Sequence, residues 1–258
     1  MLLVLKKDHI LLGALMVLLA LMVCILGLSN FSRVANTTTP QSLTVILDAG
    51  HGGEDPGAVS LYSGIKEKDV NLLIVNKVAE LLKKDGVNVL FTRDKDELKY
   101  PAGTTSETAM RKADLNNRKL MIDNSTANFC VSVHLNSLPK SQAKWFGAQC
   151  FYPHNSEESK AIANMIQTSI KKSADPANTR LALVRGKANE LPIVIFKNLV
   201  KPTCIVESGF LSNPEDDKRL ATNEYQDKMA QAIKDGIMTY WAQHTNSTQP
   251  SPPNPTVK

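Results

Sequence analysis

Three apolar runs of this sequence end on side chains that can bind a metal or move a proton. The first runs into LDAGHGG at 47–53, the second into VSVHLNS at 131–137 and the third into CIVESGF at 204–210, so His51, His134 and Glu207 lie at or just past the ends of the runs. Another carboxylate, Glu67, comes just ahead of a helical pattern that starts at Asp69. Two imidazoles and a carboxylate are a usual catalytic zinc set, with a fourth position left to water. A second carboxylate, not bound to metal, could then serve as the base. Plainer roles stay open at this point. A histidine at a strand end can be a hydrogen-bonded core or rim residue. Gly50, Gly52 and Gly53 can be ordinary turn residues, although a turn that brings backbone close to a metal also needs them. Glu207 is harder to dismiss, because a carboxylate in an apolar strand must be paired, protonated or functional. Glu54 and Asp55 read as solvated loop charges, and His9, His154 and His244 as juxtamembrane, loop and tail residues.

The elements that must position these groups alternate. Leu43–Leu47 reads as a strand, and from Asp69 the chain places Val70, Ile74, Val78, Leu81 and Leu82 on one helical face before stopping at Gly86. Val87–Phe91 is the next strand, Leu115–Asp123 a helix, Asn128–His134 and Ala148–Tyr152 strands, and Glu157–Lys171 a helix. Ile193–Phe196 and Thr203–Val206 read as strands, and Met229, Ile233, Ile237, Tyr240 and Trp241 as the stripe of a last helix. The order βαβαββαββα predicts a single α/β domain: a mostly parallel, twisted sheet with helices on both faces. The carboxyl ends of parallel strands share one edge, where open α/β folds place their ligands. A right-handed crossover brings the start of the Asp69 helix, and so Glu67, to the same edge.

The ends of the chain carry separate information. Ile10–Leu28 is 19 residues without a charge, about 28 Å as a helix and close to the ~30 Å core of a bilayer. Lys6 and Lys7 ahead of it keep the N-terminus inside and send the rest of the chain out. Residues 1–40 are therefore expected to be a signal or membrane anchor plus linker, residues 41–241 the catalytic domain, and residues 242–258 a Pro-rich disordered tail. Cleavage of the apolar segment is left open; if it is retained, the protein contacts the membrane through it. The formal +5 comes mostly from these ends, so the domain between them is nearly neutral and carries no nucleic-acid signature. Cys130, Cys150 and Cys204 sit in apolar runs and read as buried free thiols.

These segments resemble the zinc-dependent N-acetylmuramoyl-L-alanine amidases of the amidase-3 type. The resemblance rests on ILDAGHGGEDPGA at 46–58, EKD at 67–69, FTRD at 91–94, the spacing Leu115, Arg118, Asn128, SVHLNS at 132–137, Arg185-Gly186 and VESGFLSNPED at 206–216. It implies one zinc ion held by His51, Glu67 and His134, with Glu207 as the catalytic glutamate. It also implies hydrolysis of the amide between N-acetylmuramic acid and the L-alanine of the peptidoglycan stem, outside the cytoplasmic membrane. Ala49 stands where the family usually has proline, and Ser208 where it usually has leucine. The short chain, with no wall-binding repeat, is most similar to single-domain amidases of spore-forming bacteria that act on cortex peptidoglycan before muramic-δ-lactam formation. Such a domain leaves room for an activating or targeting partner protein. A zinc peptidase cutting within the stem and a non-catalytic wall-binding adaptor are the competing readings.

Overall fold

The computed structural model describes residues 16–19, 21, 22, 42–186 and 193–247. Met1–Ser42 forms one unit, in which residues 16–19, 21 and 22 are helical, and Leu43–Lys258 forms the other. Among the described residues no helix is long and apolar enough to cross a membrane. Most of the expected apolar segment Ile10–Leu28 lies outside them.

In the larger unit six strands form one sheet: β1 (Thr44–Ala49), β2 (Asn88–Phe91), β3 (Phe129–Asn136), β4 (Gln149–Pro153), β5 (Leu183–Arg185) and β6 (Thr203–Phe210). Their spatial order is β2-β1-β3-β6-β4-β5. β2, β1, β3 and β6 run parallel, as expected, but β4 pairs antiparallel with β6 and parallel with β5. The sheet is therefore mixed. The connection from β3 to β4 contains no crossover helix, only a short 3-10 turn at Lys140–Gln142, and without a crossover a parallel return is not available.

Side-chain alternation divides the sheet into two faces. Val45, Leu47 and Ala49 of β1, Val131 and Val133 of β3, and Cys204 and Val206 of β6 enter the larger core. They pack there with three helices, α1 (Glu67–Lys84), α3 (Glu157–Ser169) and α5 (Asn223–Ser247). Gly236 permits close approach of α5 to α3, since a Cβ there would lie 2.5 Å from Cα of Ile166. Ile46, Cys130 and Ile205 point the other way, into a smaller cluster with Ile122 of α2 (Glu107–Asn124), Phe151, Ile195 and Phe196. By the same alternation Asp48, Ser132, His134 and Glu207 belong to this second face, which decides where the site lies. A short α4 (Pro214–Leu220) follows β6, capped by the Asn213 side chain, which accepts from the backbone N–H groups of Glu215 and Asp216.

Several boundaries differ from the sequence expectation. α1 begins at Glu67 rather than after Asp69, because the backbone N–H of Val70 already reaches the carbonyl of Lys66. The Ile193–Phe196 run is not a strand: Val194–Phe196 is a 3-10 turn whose Ile195 and Phe196 are buried against the α2 side. The strand beside β4 is instead Leu183–Arg185, too short to carry a period. α5 continues to Ser247, six residues into the segment expected to be a tail; residues 248–258 lie outside the described part. Cys130, Cys150 and Cys204 are free and buried, as expected.

Candidate metal centre and active site

β1 delivers His51, β3 delivers His134, β6 delivers Glu207, and the first residue of α1 is Glu67. The structure brings all four together at one sheet edge. Ligand atoms of His51, Glu67 and His134 lie within 4.8 Å of one another. Glu67 Oε1 is central: it is 3.2 Å from His51 Nε2 and 3.0 Å from His134 Nδ1, and it accepts the backbone N–H of Leu135 at 3.1 Å. Glu67 Oε2 accepts the N–H of Ala58 at 2.9 Å. Burial alone would raise the Glu67 pKa, but the two histidines hold it well below the usual carboxylate range. For His51, burial alone would lower the pKa, yet Asp55 and Glu67 outweigh it and lift the value to about 9 in the metal-free protein. A cation at this point would replace the proton that these carboxylates now attract. Two imidazole nitrogens and one carboxylate oxygen converging on one point suit zinc.

Asp55 is not a solvated loop charge. It is 9 % exposed, and its Oδ2 lies 2.8 Å from His51 Nδ1. That contact leaves His51 Nε2 available to a metal and fixes the ring plane, as a carboxylate behind a ligating imidazole would.

The loop that carries His51 is held by two arginines. His51 itself has φ of 62°, a conformation uncommon for a residue with a side chain. Arg93 donates to the carbonyls of Ala49 at 2.8 Å, Gly50 at 3.0 Å and Lys68 at 2.8 Å. Arg118 donates to the carbonyls of Ala49 at 2.5 Å and His51 at 2.6 Å, and pairs with Asp48 at 2.9 Å and Asp114 at 2.5 Å. Three successive carbonyls are thus satisfied by buried guanidinium groups. Asp48 also accepts from Thr92 and Ser132; burial alone would raise its pKa, but Arg118, His134 and these hydroxyls hold it well below the carboxylate range. The sequence motifs contained Asp48, Asp55, Arg93 and Arg118 without assigning them tasks. The usable signal was charge placed beside apolar runs, which must be paired when buried.

The glycines have a specific reason to be there. A Cβ on Gly50 would lie 2.1 Å from His134 Cε1, and one on Gly57 would lie 2.7 Å from Glu67 Oε2. Gly50→Ala should therefore displace the His134 ring and weaken zinc binding by about tenfold or more while the fold persists. Titration against a competing chelator, with circular dichroism alongside, checks this; unchanged affinity would contradict it.

Glu207 is cross-strand from His134 on β6, 8 % exposed, and its Oε2 has no hydrogen-bond partner among the described residues. Burial pushes its pKa up, and the Glu67 charge adds to that against the pull of His134, Arg185 and His51. Arg185, at the end of β5, stacks over Phe151 and reaches Glu207 Oε1 at 3.4 Å.

Comparison with known proteins matches this geometry to a family. Residues 45–239 fit the Amidase_3 family, described as N-acetylmuramoyl-L-alanine amidase. The chain belongs to this family. It is 35% identical over 199 residues to the germination-specific N-acetylmuramoyl-L-alanine amidase of Bacillus subtilis, covering 77% of this chain and 80% of that protein. Among solved structures, the CwlD amidase of Clostridioides difficile, determined in complex with the GerS lipoprotein, is 39% identical with a TM-score of 0.73, covering 78% of this chain and 100% of that one. AmiC2 of Nostoc punctiforme is 30% identical with a TM-score of 0.65, over 78% of this chain and 97% of that one.

In this amidase His51, His134 and Glu207 line a cavity of about 400 Å³. Arg111 and Leu115 of α2 line it, as do the apolar Ile193, Val194 and Ile195. The two departures from the family pattern lie off this surface. Ala49 is fully buried in the larger core. Ser208 is also buried, and its Oγ has no partner among the described residues.

Proposed function

We propose that the domain is a zinc-dependent hydrolase that releases the stem peptide from N-acetylmuramic acid in spore-cortex peptidoglycan, the step before muramic-δ-lactam formation. The observation that carries this is the convergence of His51, Glu67 and His134 within 4.8 Å, with Glu207 facing the same cavity. His51, Glu67 and His134 would hold the metal, which when bound supplies a Lewis acid that polarises the amide carbonyl and makes water a usable nucleophile near neutral pH. The chain's own groups do the rest. Glu207 takes the proton of the attacking water and gives it to the leaving L-alanine amine, a role suited to a carboxylate whose pKa is raised. Arg185 holds Glu207 Oε1 toward the cavity, and Asp55 keeps Nδ1 of His51 occupied so that Nε2 stays available. Arg93 and Arg118 fix the backbone between β1 and His51.

The cortex assignment is supported by the germination-specific relative. Export is supported by the uncharged Ile10–Leu28 run behind Lys6 and Lys7. A partner protein is part of the proposal, since the similar CwlD amidase was solved with a lipoprotein bound. Digestion of isolated cortex sacculi with the zinc-loaded full chain should free whole stem peptides, and a chelator should stop the release until zinc is restored. Shortened stems still attached to glycan would show a peptidase instead, and chelator-insensitive release would remove the metal from the mechanism.

A further inference from the structure

α2 turns one face to the cavity, with Arg111, Asp114, Leu115 and Arg118 at the i, i+3, i+4, i+7 spacing of a single helical stripe. Its charged members are not equivalent. Asp114 and Arg118 are 5 % and 3 % exposed and bonded to each other; Arg118 also donates to the carbonyl of His51, and Asp114 accepts the N–H of Lys99. Arg111, one turn nearer the N-terminus of α2, has a side chain 46% exposed. Its Nη2 lies 3.0 Å from Asp55 Oδ1. That carboxylate is already engaged by His51 through Oδ2 and by the N–H of Gly57, so the site does not need Arg111 to neutralise it. A guanidinium has five N–H donors in a planar fork, and the pairing with Asp55 leaves most of them facing the cavity.

Resting on the amidase reading above, we propose that Arg111 is a specificity-determining residue that binds a stem-peptide carboxylate, namely the free α-carboxylate of the γ-linked D-glutamyl residue that follows L-alanine. The guanidinium is one carboxylate and one imidazole away from the metal position. Arg111, His51 and His134 line the same cavity, and the second residue's carboxylate lies roughly 7 Å beyond the scissile amide for two extended residues. The other arginines of the cavity are committed: Arg118 is buried in its carbonyl and carboxylate bonds, and Arg185 is stacked on Phe151 beside Glu207. Ile193, Val194 and Ile195 in the lining offer no charge to a substrate carboxylate.

The test uses two otherwise identical muropeptides, one with the free D-glutamyl α-carboxylate and one with that group amidated. The zinc-loaded parent protein should cleave the acid with kcat/KM about 10- to 100-fold above the amide, the range of a hydrogen bond to a charged group. Arg111→Gln should remove most of that difference, chiefly by raising KM for the acid, with one zinc still bound per chain. Arg111→Lys should keep part of the preference. Equal kcat/KM of the parent for both muropeptides, with the stem released from each, would overturn the subsite and leave the amidase reading intact. So would loss of zinc from Arg111→Gln, which would make the residue a support for Asp55 and His51. If neither muropeptide is cleaved, the amidase reading fails. Calorimetric binding of the two to the zinc-loaded Glu207→Gln protein then decides the subsite alone: tighter binding of the acid supports it, and equal affinity overturns it.

Discussion

Glu207→Gln should lower stem release by about 10³-fold while the protein keeps one zinc per chain. General acid–base catalysis contributes about 10²- to 10⁴-fold, and here one carboxylate serves both proton transfers, so a value inside that range is expected. Glutamine keeps the shape and the contact with Arg185 but cannot take a proton from water. Zinc should stay because Glu207 is not one of the three groups whose ligand atoms converge within 4.8 Å. The pH profile gives a second reading. Glu207 acts in its ionised form, so parental kcat/KM should fall on an acid limb as the carboxylate is protonated, and Glu207→Gln should lack that limb. A Glu207→Gln protein that keeps more than a tenth of parental activity would remove the residue from the mechanism.

The convergence of these groups was legible in the sequence because parallel strands force it. His51, His134 and Glu207 end apolar runs, and strands that pair in parallel must present those ends at one edge. Glu67 needed one step more, the handedness of the crossover into α1. What stayed hidden depended on loop conformation and on contacts distant in sequence. Asp55 looks solvated between Glu54 and Pro56 until the Gly52–Asp55 turn brings it onto His51, four residues earlier. Arg93 and Arg118 are 25 positions apart and meet at the Ala49 carbonyl only after β2 and α2 pack against β1. The reversal of β4 was hidden for another reason: side-chain period is the same in parallel and antiparallel pairs. The Ile193–Phe196 run illustrates the ambiguity of short apolar stretches, since burial against α2 accounts for its residues whether or not they extend.

Removing a ligand should have the other large effect, and it is measurable without substrate. A zinc site with a binding free energy of about 10–16 kcal/mol shared among four positions, three of them side chains, loses on the order of 2.5–4 kcal/mol per position, or about 10²- to 10³-fold in affinity. His51→Ala and His134→Ala should fall in this range, and stem release should fall with zinc occupancy. Glu67→Gln separates charge from shape. The amide can still meet the N–H groups of Leu135 and Ala58, so the α1 start is kept while the charge between the two imidazoles is lost. Linkage converts this into a melting experiment. Zinc at a thousand times the parental Kd stabilises the parent by about 4 kcal/mol, a Tm rise of roughly 8–16 °C for a domain of this size. A variant bound about 10³-fold more weakly keeps only about 0.4 kcal/mol of that at the same zinc concentration, about a degree. Metal-free melting of Glu67→Gln gives the control, because Glu67 is a carboxylate held well below its ordinary pKa. The stability it contributes is present above the ordinary carboxylate pKa and lost as pH falls below it. At neutral pH the metal-free variant should therefore melt below the metal-free parent, and the gap should close in acid. A variant of His51, His134 or Glu67 that still shows the full zinc-induced rise would place the metal elsewhere.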